Sequence, residues 1–226
     1  MVLSAAVRPS TAAGGYMPTV EEEQRAAREI FCRLLSACYY EPGPEFAEEK
    51  LFDSMLKVAE HIDAETAACA QRLGEAFFAE EAESLLVDYT RLFLGPNGML
   101  AKPYGSAWLE RESGLMQDST MAVQELYEEG GFDLDEDFHE LPDHIAVELE
   151  FLYLLMHDEN EALRAGDAAE LQRVRDLRNR FFHSHLGAWA GEFTAAVAAG
   201  TRSAFYRELA GLTERFVTLE KRALSG

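Results

Sequence analysis

The sequence has little positive charge and no long apolar run. Twenty basic residues stand against 41 acidic ones, and the net charge of −21 would repel the phosphates of nucleic acids and of anionic lipids. No segment approaches the roughly 20 consecutive apolar residues of a transmembrane helix, and the N-terminus lacks the apolar core of a secretory signal. We therefore expect a cytoplasmic protein with no nucleic-acid partner and no direct membrane insertion.

Cysteine and catalytic motifs are also scarce. The three cysteines, Cys32, Cys38 and Cys69, cannot all pair with one another and are not spaced as zinc ligands. The sequence contains no phosphate-binding glycine loop, no GxSxG and no HExxH motif. We therefore expect reduced thiols, no metal, no cofactor and no catalytic residue, so the protein is predicted not to be an enzyme.

Apolar residues recur three and four positions apart along most of the chain, which is the spacing of amphipathic helices. A Thr19–Glu22 capping box should start the first helix. This spacing predicts helices at about 19–38, 46–56, 63–78, 85–93, 119–130, 142–156, 166–181, 189–197 and 200–219. Because no segment alternates with the period of a strand, we expect an all-α fold.

Composition suggests how the helices are divided. Residues 1–18, rich in Ala, Ser, Gly and Pro, should form a flexible tail, with order beginning at Thr19. Five of the eight residues from Asp133 to Glu140 are acidic, which favours a hinge at 133–142. The hinge would join a helical N-terminal lobe at 19–132 to a smaller C-terminal helical lobe at 143–226. Such a hinge would also allow a homodimer formed by domain swapping.

Two segments of the sequence are candidates for a functional site. The stretch from Met99 to Asp118 has no helical period although it is about 20 residues long, and such connections are often functional. Asp143 and His144 open the most apolar helix. Either Asp143 caps the first turn while His144 binds a carbonyl, or both face a groove that receives a partner's guanidinium group. Tyr89, Tyr104 and Trp108 likewise either pack in the core or line that groove.

Three motifs then point to a family. They are YTRLFLGP at 89–96, KPYGSAWLE at 102–110, and LPDH at 141–144 followed by ELEF at 148–151. In this order they resemble the YxxLFxGP, PPYGSxxL and PDHxxxELxF motifs of the TorD/DmsD family of redox enzyme maturation chaperones. The resemblance covers roughly residues 24–220.

The resemblance implies an all-helical cytoplasmic chaperone without catalysis. It implies binding to the twin-arginine signal peptide, and to the apo form, of a molybdopterin-containing oxidoreductase of the DMSO reductase type. Binding would assist cofactor insertion and prevent premature export. The motif positions that correspond to peptide-binding residues of the family are Tyr89, Leu92, Pro103, Tyr104, Trp108, Asp143 and His144.

Two other functions remain as alternatives. One is an assembly chaperone for a molybdoenzyme without a leader, as in the related nitrate reductase assembly branch. The other is a nucleotide hydrolase, suggested by the weak guanine-nucleotide binding associated with this family. The absence of a phosphate loop argues against the hydrolase.

Overall fold

The chain is predominantly helical in the computed structural model, which describes residues 3–5, 18–95, 98–110, 118–134 and 140–225. Its helices are α1 (Val20–Ala37), α2 (Glu45–Glu48), α3 (Leu51–Glu60), α4 (Ala64–Ala79), α5 (Ala82–Tyr89), α6 (Ser106–Leu109), α7 (Asp118–Gly130), α8 (Ile145–Ala165), α9 (Ala168–Ser184), α10 (Leu186–Gly200) and α11 (Ala204–Ser225). A π-helix, Thr90–Leu94, continues α5. The all-α prediction is confirmed.

Side-chain caps fix several helix starts at the predicted residues. The Glu22 amide donates to Thr19 Oγ1 at 3.3 Å, and the Glu22 carboxylate accepts from the Thr19 amide at 2.7 Å, which completes the capping box of α1. Asp63 caps α4 by accepting from the Thr66 amide at 2.8 Å. These bonds satisfy amide groups that have no partner within the helix.

Several predicted helix boundaries are wrong, and two of them have a clear physical reason. The helix expected over 46–56 is interrupted at Lys50, whose φ of 53° lies in the left-handed region, so α2 ends before α3 begins. The long helix expected from Pro142 begins at Ile145 with His144 as its N-cap. Pro142 lies instead in a turn, where its carbonyl accepts the hydroxyl hydrogen of Tyr127 at 2.8 Å.

A two-stranded sheet adds a small β component. Strand β1 (Leu3–Ala5) pairs antiparallel with β2 (Phe132–Leu134), with Leu3 opposite Leu134 and Ala5 opposite Phe132. The structure therefore differs at residues 3–5 from the predicted flexible tail and from an ordered chain that begins at Thr19. The other tail residues up to 17 lie outside the described ranges.

Helix α8 lies at the centre of the core. The Phe151 ring on this helix is fully buried and contacts the rings of Tyr127 and Phe181, with centroid distances of 4.5 and 4.8 Å. Each fully buried side chain of this size contributes about 1.5–3 kcal/mol to folding. Helix α8 packs against α1 and α9, and α11 packs against α4 and α10. Helices from both sides of the predicted hinge thus share one core, and the lobe boundary stays a prediction.

Within the described ranges, every helix is too short or too polar to cross a membrane.

Candidate functional site

Backbone hydrogen bonds join two of the sequence motifs into one structural unit. The Ile145 amide donates to the Pro103 carbonyl, and the Gly105 amide donates to the Asp143 carbonyl, both at 2.8 Å. The Asp143 carboxylate adds a third bond, because its Oδ2 accepts from the Ser106 amide at 2.8 Å. The turn at 103–106 is therefore fixed against the start of α8, although the two segments lie almost 40 positions apart.

His144 acts as a neutral helix cap in this unit. Its Nδ1 accepts from the Ala146 amide at 3.2 Å, and burial lowers the pKa of the imidazole to about 3. The first interpretation, with Asp143 as the cap of this helix and His144 bound to a carbonyl, is wrong for both residues. His144 caps the helix, and Asp143 holds the Ser106 backbone.

Four rings lie near this turn, and we name Tyr40, Tyr89, Tyr104 and His144 the tyrosine patch. Tyr89 and Tyr104 are 8% exposed and His144 is 4% exposed, so only the edges of these rings reach the surface. The Tyr104 ring contacts the His144 ring edge to face, with centroids 5.5 Å apart. The Tyr40 ring stacks on the same His144 ring, with centroids 6.4 Å apart and an interplanar angle of 15°. Tyr89 comes from the end of α5 and packs on Phe93 at 5.3 Å. The segment after α1, the end of α5 and the 103–106 turn thus each supply one tyrosine.

Carboxylates give this patch its negative charge. The Tyr104 hydroxyl donates to Glu140 at 2.6 Å. Burial, with the nearby charges of Glu140 and Glu41, raises the pKa of Tyr89 to about 12. Burial and the charge of Glu150 raise the pKa of Tyr40, and burial with the hydrogen bond to Glu140 raises the pKa of Tyr104. Glu41 and Glu140 are exposed and form no salt bridge with the residues that the structure describes, so both are available to a cation.

The other predicted site residues lie beneath the patch or away from it. Leu92 is fully buried in the core, and Asp143 is 1% exposed. Pro103 is buried within the turn. Trp108 is partly exposed, packs edge to face on Phe193 at 6.4 Å, and donates its indole hydrogen to the Lys102 carbonyl at 2.8 Å. Only Tyr89, Tyr104 and His144 of the predicted set belong to the patch.

Tyr40 and the acidic residues beside this patch were not predicted from the sequence. Tyr40 follows the end of α1, and its hydroxyl donates to Glu150 on α8 at 3.0 Å. The Tyr39-Tyr40 pair directly before Glu41-Pro42-Gly43-Pro44 gives no signal that separates the two rings, since Tyr39 is 1% exposed and only Tyr40 belongs to the patch. Glu140 was assigned only to the predicted hinge.

A second layer of polar side chains supports the turn from below. Trp189 on α10 donates its indole hydrogen to Glu148 Oε2 at 2.9 Å. Both side chains are almost fully buried. A Cβ atom on Gly105 would lie 2.9 Å from Trp189 Nε1 and 3.0 Å from Glu148 Oε1. Only glycine lets the backbone approach this pair so closely.

Gly105→Ala is therefore expected to destabilise the protein by about 1–3 kcal/mol, because the added methyl overpacks a closed site. Gly211→Ala is the matched control, since a Cβ there would have no atom within 4 Å. In the interior of α11 that change should stabilise by about 0.5–1 kcal/mol. Urea unfolding of both variants measures the difference, and equal effects of the two substitutions would contradict the crowding argument.

No cluster of His, Cys, Asp and Glu side chains in the described part of the chain is arranged to hold a metal ion. The site therefore presents rings, carboxylates and backbone groups, which suits the binding of a peptide with cationic side chains.

Comparison with known proteins identifies relatives along most of the chain. Residues 59–195 match the family model described as "Nitrate reductase delta subunit". The Tat proofreading chaperone DmsD of Salmonella typhimurium is 28% identical over 193 residues, which are 84% of this chain and 86% of that protein. The chaperone protein TorD of Aliivibrio salmonicida is 26% identical over 211 residues, which are 90% and 96% of the two chains.

These relatives confirm the resemblance found from the three motifs, and their names describe chaperones rather than enzymes. The matched family segment includes the 103–106 turn, the start of α8 and most of the helices that surround them. The chain belongs to the nitrate reductase delta subunit family, together with the TorD and DmsD chaperones.

Proposed function

We propose that this protein is a cytoplasmic, system-specific chaperone for a molybdopterin-containing oxidoreductase of the DMSO reductase type. It binds the twin-arginine signal peptide and the apo form of its client, assists cofactor insertion and prevents premature export. The observation that carries the proposal is the tyrosine patch, in which four rings adjoin the exposed carboxylates of Glu41 and Glu140. The names of the relatives support it.

The chemistry of a twin-arginine leader fits this surface. Guanidinium groups form short, bidentate hydrogen bonds with carboxylates and stack on aromatic faces. The apolar segment that follows the arginines would cover the rings, and burial of that surface contributes about 25 cal/mol per Å². The net charge of −21 would speed the encounter with a basic leader, more so at low salt.

Calorimetry with leader peptides from molybdoenzymes encoded beside this protein tests the proposal. We expect micromolar or tighter binding that weakens as salt is raised. Replacement of both arginines by alanine should lower the affinity at least about tenfold, because charge-assisted hydrogen bonds contribute roughly 1.5–3 kcal/mol each. A twin-lysine peptide is the matched control, since it keeps the charge but not the bidentate geometry. Equal affinity of all three peptides would refute recognition of the arginine pair.

A second candidate is assembly of a molybdoenzyme that has no leader, which the name of the matched family model favours. In that case the chain should bind no leader peptide but should still bind the apoenzyme. Pull-down of the apoenzyme with and without its N-terminal segment separates the two functions.

A further inference from the structure

The turn that carries Tyr104 lies over polar atoms that lack partners. Among the described residues, Ser106 Oγ, Asp143 Oδ1, Glu148 Oε1 and His185 Nδ1 are buried without a hydrogen-bond partner. We name these four residues the buried cluster. Unpaired polar atoms are rare in protein interiors, and each one calls for a physical reason.

Two carboxyl groups of the cluster lie beside adjacent residues of the 103–106 turn, Asp143 beside Ser106 and Glu148 beside Gly105. Asp143 Oδ2 accepts from the Ser106 amide at 2.8 Å, and Glu148 Oε1 lies 3.0 Å from the Cβ position of Gly105. The second oxygen of Glu148 accepts from Trp189 at 2.9 Å. Each carboxyl group therefore has one oxygen fixed and the other unpaired.

The surroundings of this cluster disfavour a negative charge on Glu148 and Asp143 at the same time. Burial raises the pKa of Glu148 well above its ordinary value, and the neighbouring charge of Asp143 acts in the same direction, against the hydrogen bond from Trp189. The other titratable groups facing the cluster carry no positive charge at neutral pH. Burial lowers the pKa of His185, and it raises the pKa of Tyr127 on α7.

We propose that Glu148 is a positioning residue for the client site and acts as an uncharged carboxylic acid, accepting the indole hydrogen of Trp189 beneath the 103–106 turn. This hydrogen bond joins α8 to α10 directly under Gly105. The Glu148 side chain thereby sets the position of the turn, and with it the contact between the Tyr104 and His144 rings. The positioning role rests on the proposed function, whereas the protonation state does not.

Client binding tests the positioning role through two substitutions. Glu148→Gln keeps the length, the donor and the acceptor, so we expect leader affinity within about twofold of the unmodified protein. Glu148→Asp keeps the acid but retracts it by one methylene, so we expect affinity at least about tenfold weaker. A Gln variant that binds as poorly as the Asp variant, or an Asp variant that binds normally, overturns the positioning role.

Infrared spectroscopy of the protein without client tests whether Glu148 is protonated. At pH 7 the unmodified protein should show the infrared carbonyl band of a buried carboxylic acid, and Glu148→Gln should lack it. Glu125→Gln is the matched control, because Glu125 is exposed on α7 and the substitution removes the same charge. Absence of the band from the unmodified protein, or its persistence in Glu148→Gln, overturns the protonated state of Glu148.

The pH dependence of the unfolding free energy also tests the protonation state of Glu148. A carboxyl group with a raised folded-state pKa stabilises the fold below its unfolded pKa, near 4.3, and this contribution is lost as pH rises toward the folded value. The unfolding midpoint of the unmodified protein should therefore fall relative to Glu148→Gln between pH 4 and pH 8. A constant difference overturns the neutral acid even if no leader peptide binds, so the two proposals fail separately.

Discussion

Arg178→Ala is expected to lower the free energy of unfolding by about 1.5–3 kcal/mol, because it removes charge-assisted hydrogen bonds from two buried carboxylates. Arg178 on α9 donates to Glu159 on α8 at 2.7 Å and forms a second ion pair with Glu220 on α11. Glu220 is fully buried. Loss of the guanidinium would leave Glu220 paired with Arg28 alone, at 2.5 Å, and Glu159 paired with Arg175 alone, at 2.9 Å.

Arg164→Ala provides the control for this effect. Arg164 pairs with Glu161 on the surface of α8, where the two side chains are 55% and 39% exposed. Such a pair contributes at most about 1 kcal/mol. Urea unfolding of the two variants under the same conditions gives the comparison. If both arginines prove equally dispensable, the three helices joined by Arg178 are held by apolar packing alone.

Tyr104→Ala is expected to weaken leader binding at least about 30-fold, the loss typical of an aromatic hot spot of 2 kcal/mol or more. The substitution removes the ring that contacts His144 and the hydroxyl that binds Glu140. It would remove the aromatic surface beside the carboxylate that an incoming arginine would bind. Calorimetry with the leader peptide measures the loss.

Two further variants separate the ring from the hydroxyl and from general effects. Tyr104→Phe keeps the ring and frees Glu140 from its hydrogen bond, so we expect less than about a fivefold change. Met121→Ala removes an apolar side chain that is 52% exposed on α7 and should leave affinity unchanged. Normal binding by Tyr104→Ala would place the peptide elsewhere on the molecule.

The helices were predictable because their signals are local. The cap residues Thr19, Asp63 and Asp167 act within three residues of themselves, so the sequence alone places them correctly. The prediction was wrong at Pro142 because a favoured first-turn residue is only a local preference. There the turn is set by Tyr127, 15 positions away, and by the Asp143 bond to Ser106.

The candidate site was only partly predictable because its residues meet through long-range contacts. Tyr40 contacts Glu150 across 110 positions of sequence, and no periodicity reports such a pair. The motifs include Tyr104 and His144, whose rings lie 5.5 Å apart, whereas their role in binding stays a prediction. The same motifs include Leu92 and Asp143, which are at most 1% exposed, so these two side chains can support the site only from beneath it.

The π-helix at Thr90–Leu94 has a consequence for how this family varies in length. Its defining bond joins the Gly95 amide to the Thr90 carbonyl at 2.7 Å, five residues back instead of four. Deleting one residue would restore an ordinary α-helical turn without rotating the flanking segments. A relative one residue shorter between Tyr89 and Gly95 is therefore expected to keep its aromatic side chain in place, and an alignment gap at this point marks a tolerated deletion rather than a lost site.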